Sequence, residues 1–235
     1  MDRRRFLAST AVVGTATFAG CTGGSGGSEG GGDDGDGGVT GNPSTTPGGT
    51  PVGEHPATAN LDSQPVRGEA KDTLVVAFED PSCTLCRRFE QNTFPQIESK
   101  LVETGKASFV FRVFPIIYPW GDPASHVLEA TFAADAEAFW ALKDHYYATQ
   151  PEFGDDNVYD RSRAFLERET DVDAEAVVAA VESGEADAAV QLDLDAGERL
   201  GIGQTPEFYL FRDGTYRTKV RGAQGYGVFE TALGF

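Results

Sequence analysis

The segment VVAFEDPSCTLCRRFEQNTFP, residues 75–95, decides the fold, because it joins a strand pattern to a helix pattern through two closely spaced cysteines. The run TLVVAFED, residues 73–80, is continuous, apolar and rich in β-branched and aromatic residues, which predicts a buried strand. The turn-forming residues that follow it are typical of a helix start. Cys83 and Cys86 are therefore expected in the first turn of a helix.

The helix after this strand has a predicted beginning and end. Asp80 or Ser82 is its candidate N-cap, because short polar side chains accept hydrogen bonds from the unpaired N–H groups of a first helical turn. Pro95 should kink or restart the helix, and Gly105 should end it. The predicted apolar face of this helix consists of Leu85, Phe89, Phe94, Ile97 and Leu101.

The rest of the folded region alternates between strand and helix patterns. ASFVFRVFP, residues 107–115, predicts a second strand, and the order strand, helix, strand implies a right-handed parallel crossover. Residues 122–200 are rich in Ala and Glu and have helical apolar faces, so we expect a mostly helical subdomain there. PEFYLFRDGTYRTKVRG, residues 206–222, places an Asp-Gly pair between two β-rich runs, which predicts a hairpin. Residues 225–233 predict a short closing helix.

The paired cysteines are compatible with a metal half-site, a structural staple or a redox centre. A zinc site needs about four ligands, usually from two such pairs, and the chain has no second pair of this spacing. Its only histidines are His55, in the predicted linker, and His126 and His145, which are expected on helix surfaces or satisfied in the interior. The sequence therefore argues against a metal centre.

A redox role fits the spacing better than a staple does. A disulfide across two intervening residues closes a very small loop and constrains the unfolded chain little. At a helix N-terminus, unpaired N–H groups and the helix dipole favour a thiolate. Cys83 would then attack a partner's sulfur and Cys86 would resolve the mixed disulfide. Arg87 and Arg88 either help to hold the thiolate or form a solvated helix face.

Composition limits the partners of the chain. It has 235 residues and 40% hydrophobic content, enough for one sizeable core without structural disulfides. The formal net charge of −18 argues against nucleic acid or an anionic membrane surface as a partner, since both repel such a field. An excess of acidic residues over basic ones also suggests a halophilic source, where salt screens self-repulsion; an ordinary acidic secreted protein is the alternative.

The N-terminal region predicts export rather than a fold. Residues 1–20 have a basic start and a short apolar run, as in a signal peptide, and Arg3 and Arg4 resemble a twin-arginine export signal. Cys21 follows a lipobox-like sequence, so we expect it to be lipidated; an ordinary signal peptide with a spare thiol is the alternative. Residues 21–60 are rich in Gly, Ser, Asp, Thr and Pro and predict a disordered tether, which leaves residues 61–235 as the folded domain.

The folded region resembles the DsbA-like, helix-inserted branch of the thioredoxin superfamily of thiol-disulfide oxidoreductases, over about residues 62–235. The resemblance implies an α/β, thioredoxin-like fold with a central mixed β-sheet and an inserted helical subdomain at about residues 122–200. The matching stretches are VVAFEDPSCTLCRRFEQNTFP, FRVFP, AFWALKDHYYA and GIGQTPEFYLFRDG.

The resemblance also carries roles for individual residues. It implies a cis Thr205–Pro206 bond across from the cysteines, in a loop that offers polar groups to an extended substrate; an ordinary trans proline opening a strand is the alternative. Asp80 aligns with an acidic position of this branch, as a proton acceptor or merely a helix cap. Thr84 and Leu85 stand where strongly oxidising relatives often carry Pro-His, which leaves the redox direction open.

These observations predict an exported, lipid-anchored enzyme that forms or rearranges disulfides through Cys83 and Cys86 without a bound cofactor or metal. Its partners would be exported proteins with thiols or disulfides, and an unidentified redox partner. We expect an extracytoplasmic monomer, attached to the outer face of the cell membrane only through lipidated Cys21. An extracytoplasmic reductase and a tethered binding protein with an inert disulfide are the alternatives.

Overall fold

A five-stranded mixed sheet forms the centre of the molecule. The structure, a computed structural model, describes residues 49–235. The strands are β1 (Val66–Arg67), β2 (Leu74–Glu79), β3 (Ser108–Val113), β4 (Glu207–Arg212) and β5 (Thr215–Arg221). Their order across the sheet is β1-β3-β2-β4-β5. The pair β2 and β3 is parallel, as the crossover pattern predicts, and the other neighbouring pairs are antiparallel.

Helices cover the sheet and fill the long connection between β3 and β4. They are α1 (Thr84–Asn92), α2 (Phe94–Ile97), α3 (Gly121–Ala134), α4 (Ala136–Thr149), α5 (Val158–Glu169), α6 (Ala174–Glu182), α7 (Asp187–Leu200) and α8 (Tyr226–Leu233). Helix α2 restarts at the predicted proline and continues into a π-helical turn, Glu98–Val102. Helices α3 to α7 form the predicted helical insertion, so the thioredoxin-like fold class is confirmed.

Strand β2 is buried along its whole length because both faces of the sheet are covered. Alternate side chains point to opposite faces. Val75 and Ala77 belong to the larger core, with residues of α1, α8 and the insertion, whereas Val76 and Phe78 belong to a smaller core that includes Ile202. The end of β2 therefore lies between two packed layers, and this fixes where the following turn begins.

The hairpin between β4 and β5 turns at the predicted Asp-Gly pair. Asp213 and Gly214 have φ values of 52° and 75°, the left-handed conformation that a tight two-residue hairpin turn requires. Asp and Gly are among the residues that adopt it at least cost. The antiparallel pairing of β4 with β2, in which Phe78 lies opposite Glu207, places the residues before β4 next to the end of β2.

The N-terminal part of the described chain differs from expectation. His55, expected in a disordered linker, is buried, and its ring stacks on Tyr216 with the centroids 4.5 Å apart. Pro51 bridges to Thr215 on β5. The placement of His55 in a linker was therefore wrong, because its ring gives this proline-containing segment an aromatic surface to bury. The predicted signal peptide and Cys21 lie outside the described residues.

Two further features concern the chain between residues 49 and 235. Strand β1 was not predicted, because two residues are too few to show a period, and it pairs with β3. Within this range the structure contains no helix that is both long enough and apolar enough to cross a bilayer.

Candidate active site

The two cysteines lie at the N-terminus of α1, as predicted. Cys83 is the N-cap residue, and its Sγ accepts a hydrogen bond from the Cys86 N–H at 3.4 Å. Both are free thiols, with residue exposures of 3% for Cys83 and 0% for Cys86. Both side chains are thus buried, and only Cys83 retains a small exposed area.

The prediction that Asp80 or Ser82 caps the helix was wrong. Helix α1 begins at Thr84, one residue later than a cap at Ser82 and three residues later than a cap at Asp80 would require, so the sulfur of Cys83 occupies the capping position instead. Asp80 contributes through its backbone, since its carbonyl oxygen accepts the Cys83 N–H at 2.9 Å.

The pKa values of the two thiols are shifted in opposite directions. The hydrogen bond from the Cys86 thiol and the backbone N–H groups of the first turn outweigh burial and lower the pKa of Cys83 to about 6. Burial raises the pKa of Cys86 well above its usual range, and the hydrogen bond to Cys83 and the negative charge of Glu79 add to this. Near neutral pH, Cys83 is therefore the thiolate and Cys86 holds its proton.

The loop before β4 faces Cys83. The Cys83 Sγ lies 3.3 Å from the Thr205 carbonyl oxygen. The Thr205–Pro206 peptide bond is cis, as the resemblance implies. Thr205 is 1% exposed, and its Oγ1 has no hydrogen-bond partner among residues 49–235. The structure thus brings Thr205 and Pro206 together with the first cysteine.

Asp80 is buried, and the hydrogen bonds of its carboxylate connect the cysteine turn to the loop after β3. Its Oδ1 accepts from the Ser82 N–H at 2.7 Å and the Ser82 hydroxyl at 2.6 Å. Its Oδ2 accepts from the N–H groups of Ile116 and Ile117 at 2.8 and 2.7 Å. Gly121 approaches so closely that a Cβ there would lie 2.4 Å from Asp80 Oδ1. Burial raises the pKa of Asp80, and these hydrogen bonds oppose that shift.

A second buried carboxyl group, Glu79, was missed from the sequence. Burial and the charge of Glu90 raise its pKa well above the usual range, and neither of its carboxyl oxygens has a hydrogen-bond partner in the described part of the chain. Lys143 of α4 forms a buried ion pair with Glu90 of α1. The available signal was a glutamate that ends an otherwise apolar strand, on the face that carries Ala77.

Helix α4 backs the active-site helix α1. Arg87 Nε donates to the Tyr147 carbonyl oxygen at 3.0 Å, and Arg88 is exposed. The interpretation of these arginines as parts of a helix surface fits this arrangement better than contact with the thiolate does. Gln150, which follows α4, donates from Nε2 to the carbonyl oxygens of Pro81 and Cys83 at 2.8 and 3.0 Å.

The surface near Cys83 is apolar and grooved. Leu85, expected in the core, is 39% exposed, and Ile116, Ile117 and Tyr118 are 43%, 42% and 53% exposed. Leu85 lies in the first turn of α1 with its side chain open to solvent, whereas Cys86, the next residue, is fully buried. A groove of about 470 Å³ runs beside this surface, lined by Ser82, Thr84, Arg87, Tyr118, Trp120 and Phe153, among others.

Comparisons with known proteins agree with this geometry. The sequence model of a family described as thioredoxin matches residues 61–219. The disulfide bond formation protein D of Bacillus subtilis is 24% identical over 171 residues, which cover 72% of this chain and 76% of that protein. A Bacillus anthracis protein named "Probable disulfide bond formation protein D" is 25% identical over 138 residues, 58% of this chain. The match spans 64% of that relative, less than two thirds of its length.

Solved structures share the fold. The oxidised form of BdbD from Bacillus subtilis superposes with a TM-score of 0.65 at 21% identity, covering 79% of this chain and 95% of that one. DsbA from Chlamydia trachomatis superposes with a TM-score of 0.63 at 19% identity, covering 76% of this chain and 93% of that one. At these identities the likeness concerns the fold.

Proposed function

The chain belongs to the thioredoxin family, and from this premise we propose that it is a thiol-disulfide oxidoreductase that forms or rearranges disulfide bonds in extracytoplasmic proteins. The observation that carries the proposal is the pairing of unlike thiols at one helix N-terminus. Cys83 has a pKa lowered to about 6 and lies beside the cis-proline loop, whereas Cys86 is fully buried with a raised pKa. Unlike thiols of this kind suit an attacking and a resolving cysteine.

In the proposed reaction, a substrate thiolate attacks Cys83 Sγ of the Cys83–Cys86 disulfide. The bond between the two cysteines breaks, and its electron pair leaves with Cys86 Sγ, which takes up a proton. A second substrate thiolate then attacks the substrate sulfur of the mixed disulfide, and Cys83 leaves as the thiolate. The substrate loses two electrons and two protons; Cys86 takes up one proton, the other passes to solvent, and the reduced protein carries a Cys86 thiol and a Cys83 thiolate.

The buried carboxyl group of Glu79 suits the proton step. Because burial raises its pKa well above the usual range, Glu79 holds its proton more tightly than an exposed glutamate does, and it lies close enough to Cys86 to influence the pKa of that thiol. We infer that Glu79 exchanges this proton with Cys86. The alternative role of Asp80 as proton acceptor has less support, because both of its oxygens are engaged in hydrogen bonds with Ser82 and the following loop.

The low pKa of Cys83 favours donation of disulfides over reduction. A stabilised thiolate is a good leaving group and stabilises the reduced protein, which makes its disulfide more oxidising. Thr84 and Leu85 supply no ring to hold the thiolate, so this stabilisation comes from Cys86 and the helix terminus.

The proposed setting and partners follow from the sequence. The proposal includes export through the twin-arginine signal, a lipid anchor at Cys21, adaptation to high salt, and action as a monomer. Exported polypeptides with free thiols are the proposed substrates, and a separate redox protein would reoxidise Cys83 and Cys86. The apolar surface around Leu85 and Tyr118 supports binding of unfolded segments. The charge of −18 disfavours nucleic acid.

Oxidative refolding of a reduced disulfide protein tests this function. The oxidised chain, added in stoichiometric amounts without another oxidant, should restore activity to the substrate as its own thiols appear. A Cys83→Ser variant should transfer no disulfide. Transfer undiminished by that substitution would refute the mechanism. Mass spectrometry of the N-terminus tests the anchor separately, since an intact Met1 or an unmodified Cys21 would exclude it.

A further inference from the structure

Gln150 connects the helical insertion to the cysteine turn. Its side chain is buried, with a residue exposure of 5%, and its Nε2 contacts the carbonyl oxygens of Pro81 and Cys83 at 2.8 and 3.0 Å. The amide group of a glutamine has two N–H donors, so each carbonyl receives one of them. We propose that Gln150 is a positioning residue, which sets the geometry and thereby the acidity of Cys83 from within the insertion; this inference rests on the proposed thiol-disulfide function.

The first contact immobilises the Pro81–Ser82 peptide group, which lies one peptide group before the bond between Ser82 and Cys83. Gln150 holds the carbonyl oxygen of the Pro81–Ser82 peptide, and Asp80 Oδ1 holds the N–H of the same peptide at 2.7 Å. A peptide group is planar. Hydrogen bonds at both of its edges therefore fix the direction from which the chain enters Cys83.

The second contact fixes the peptide group that follows Cys83. The Cys83 carbonyl oxygen accepts from Gln150 Nε2 and also from the Arg87 N–H at 3.0 Å, the first backbone hydrogen bond of α1. The orientation of the Cys83 carbonyl group determines the orientation of the N–H group in the same peptide. It thereby determines the direction in which α1 begins. The N–H groups of this first turn, including that of Cys86, are the donors that face Cys83 Sγ.

Gln150 also acts on the electrostatic potential near the sulfur. The Pro81 and Cys83 carbonyl oxygens are the negative ends of dipoles close to the thiolate. Without hydrogen-bond donors these buried groups would turn toward other donors or attract water. Both changes would weaken the hydrogen bonds to Cys83 Sγ and raise the pKa of the thiol.

Gln150 is held in place because it follows helix α4 of the insertion, which packs against α1. Lys143, Tyr147 and Gln150 are spaced at intervals of four and three residues, so they share one face at the end of α4. Lys143 pairs with Glu90 and the Tyr147 carbonyl accepts from Arg87, both on α1. Helix α4 of the insertion thus supports α1 at several points, and its C-terminal end lies at the cysteine turn.

The test replaces Gln150 with methionine in the full chain. Gln150→Met keeps the length and approximate volume of the side chain and removes both donors. The thiolate absorbance of Cys83, titrated against pH in the reduced protein, should show its pKa raised by about one unit. Alkylation of Cys83 at pH 5 should slow about tenfold. If the equilibrium constant with glutathione also changes tenfold, the reduction potential falls by about 30 mV.

Gln91→Ala is the matched control. Gln91 is also a glutamine whose Nε2 contacts a backbone carbonyl, that of Tyr147 at 3.4 Å, but it is exposed and does not touch the cysteine turn. Its substitution should leave the pKa of Cys83 unchanged. A folded Gln150→Met protein with the acidity and alkylation rate of the wild type would overturn the proposal, because Gln150 would then only fill space.

A measurement on the unsubstituted protein decides the question if Gln150→Met does not fold. In the ¹⁵N-labelled reduced chain, the side-chain amide signal of Gln150 should be protected from exchange and should shift with the titration of Cys83. An amide signal that exchanges freely and is insensitive to that titration would refute the proposal. These readouts need no protein substrate. Loss of the proposed oxidase function would therefore appear separately, as a normal titration without disulfide transfer.

Discussion

Cys83 Sγ and the Thr205 carbonyl oxygen lie 3.3 Å apart, although the two residues are separated by 122 positions in the sequence. The sheet explains this contact. Strands β2 and β4 are antiparallel neighbours, so the residues that follow the end of β2 meet those that precede the start of β4. The whole helical insertion lies in the chain between them, and its helix α4 returns to support the same turn.

Cys86 should control the acidity of Cys83 as well as resolve mixed disulfides. The hydrogen bond from the Cys86 thiol is the largest contribution to the lowered pKa of Cys83, about 6. Cys86→Ala should therefore raise the pKa of Cys83, whereas Cys86→Ser retains a hydroxyl donor and should raise it less. Titration of the thiolate absorbance checks this. Equal pKa values in the wild type and Cys86→Ala would contradict it.

The same Cys86→Ala variant should trap mixed disulfides with substrates. The Cys83 thiolate of this variant can still attack a substrate disulfide, and without Cys86 the resulting mixed disulfide has no internal resolving group. Non-reducing electrophoresis should show adducts that disappear with reductant. The Cys83→Ser variant is the control, and adducts in that variant would show that Cys86 reacts directly.

Glu79→Gln should make stability less dependent on pH. A raised pKa in the folded state means that the native protein binds a proton more tightly than the unfolded chain, whose carboxyl has a pKa near 4.5. The stability of the wild type should therefore fall as pH rises from about 4.5 toward the folded pKa, by about 1.4 kcal/mol per pKa unit of the shift. Urea unfolding between pH 4.5 and 8 measures this slope.

Glutamine cannot ionise, so the Glu79→Gln variant should lose the part of the pH dependence of stability that Glu79 contributes. It should also exchange disulfides more slowly, because the proton at Glu79 is lost. Exposed Glu103 supplies the control, since Glu103→Gln should change neither property. A Glu79→Gln protein with the pH slope of the wild type would show that Glu79 is not a titrating group of the folded state.

Asp80→Asn should loosen the loop after β3. The N–H groups of Ile116 and Ile117 both donate to Asp80 Oδ2, and an amide can present an acceptor oxygen to this pair or to Ser82, but not to both. We expect a loss of about 1–3 kcal/mol in the free energy of unfolding. Faster hydrogen exchange at residues 116 and 117 should accompany this loss of stability. Unchanged exchange there would show that Asp80 does not hold this loop.

Arg112 should be needed for folding but not for redox chemistry. Its guanidinium is fully buried and contacts Asp193 Oδ1 at 2.8 Å, while Asp193 Oδ2 accepts the Val113 N–H. Arg112→Leu leaves Asp193 and nearby Glu129 buried without a cation, which should cost about 3–5 kcal/mol. The double variant Arg112→Leu, Asp193→Leu should lose less, and a larger loss in chemical denaturation would contradict this explanation.

Local patterns predicted much of the fold. The apolar run before Asp80, the proline at position 95 and the Asp-Gly pair at 213 and 214 each have a short-range physical meaning, and each appears where expected. The positions of Cys83 and Cys86 follow from the same local rules, since a strand, a turn and a helix suffice to place them.

Local sequence patterns could not predict the long-range side-chain contacts. The burial of His55 depends on Tyr216, and the role of Asp80 depends on the loop at 116 and 117, neither of which is near in sequence. Similarly, Glu79 and Gln150 become parts of the site only because the insertion folds back onto α1. Polar residues of this kind acquire their function from tertiary neighbours rather than from their own segment.

The equilibrium reduction potential of Cys83 and Cys86 tests the central claim most directly. The full chain would be equilibrated with glutathione buffers and its free thiols counted after alkylation. A pKa of about 6 lies between the values near 7 in thioredoxin and near 3.5 in DsbA. We therefore predict a potential more positive than about −230 mV, toward the −120 mV of the most oxidising members. A value of about −270 mV or lower would contradict it, because the protein would then be a reductase.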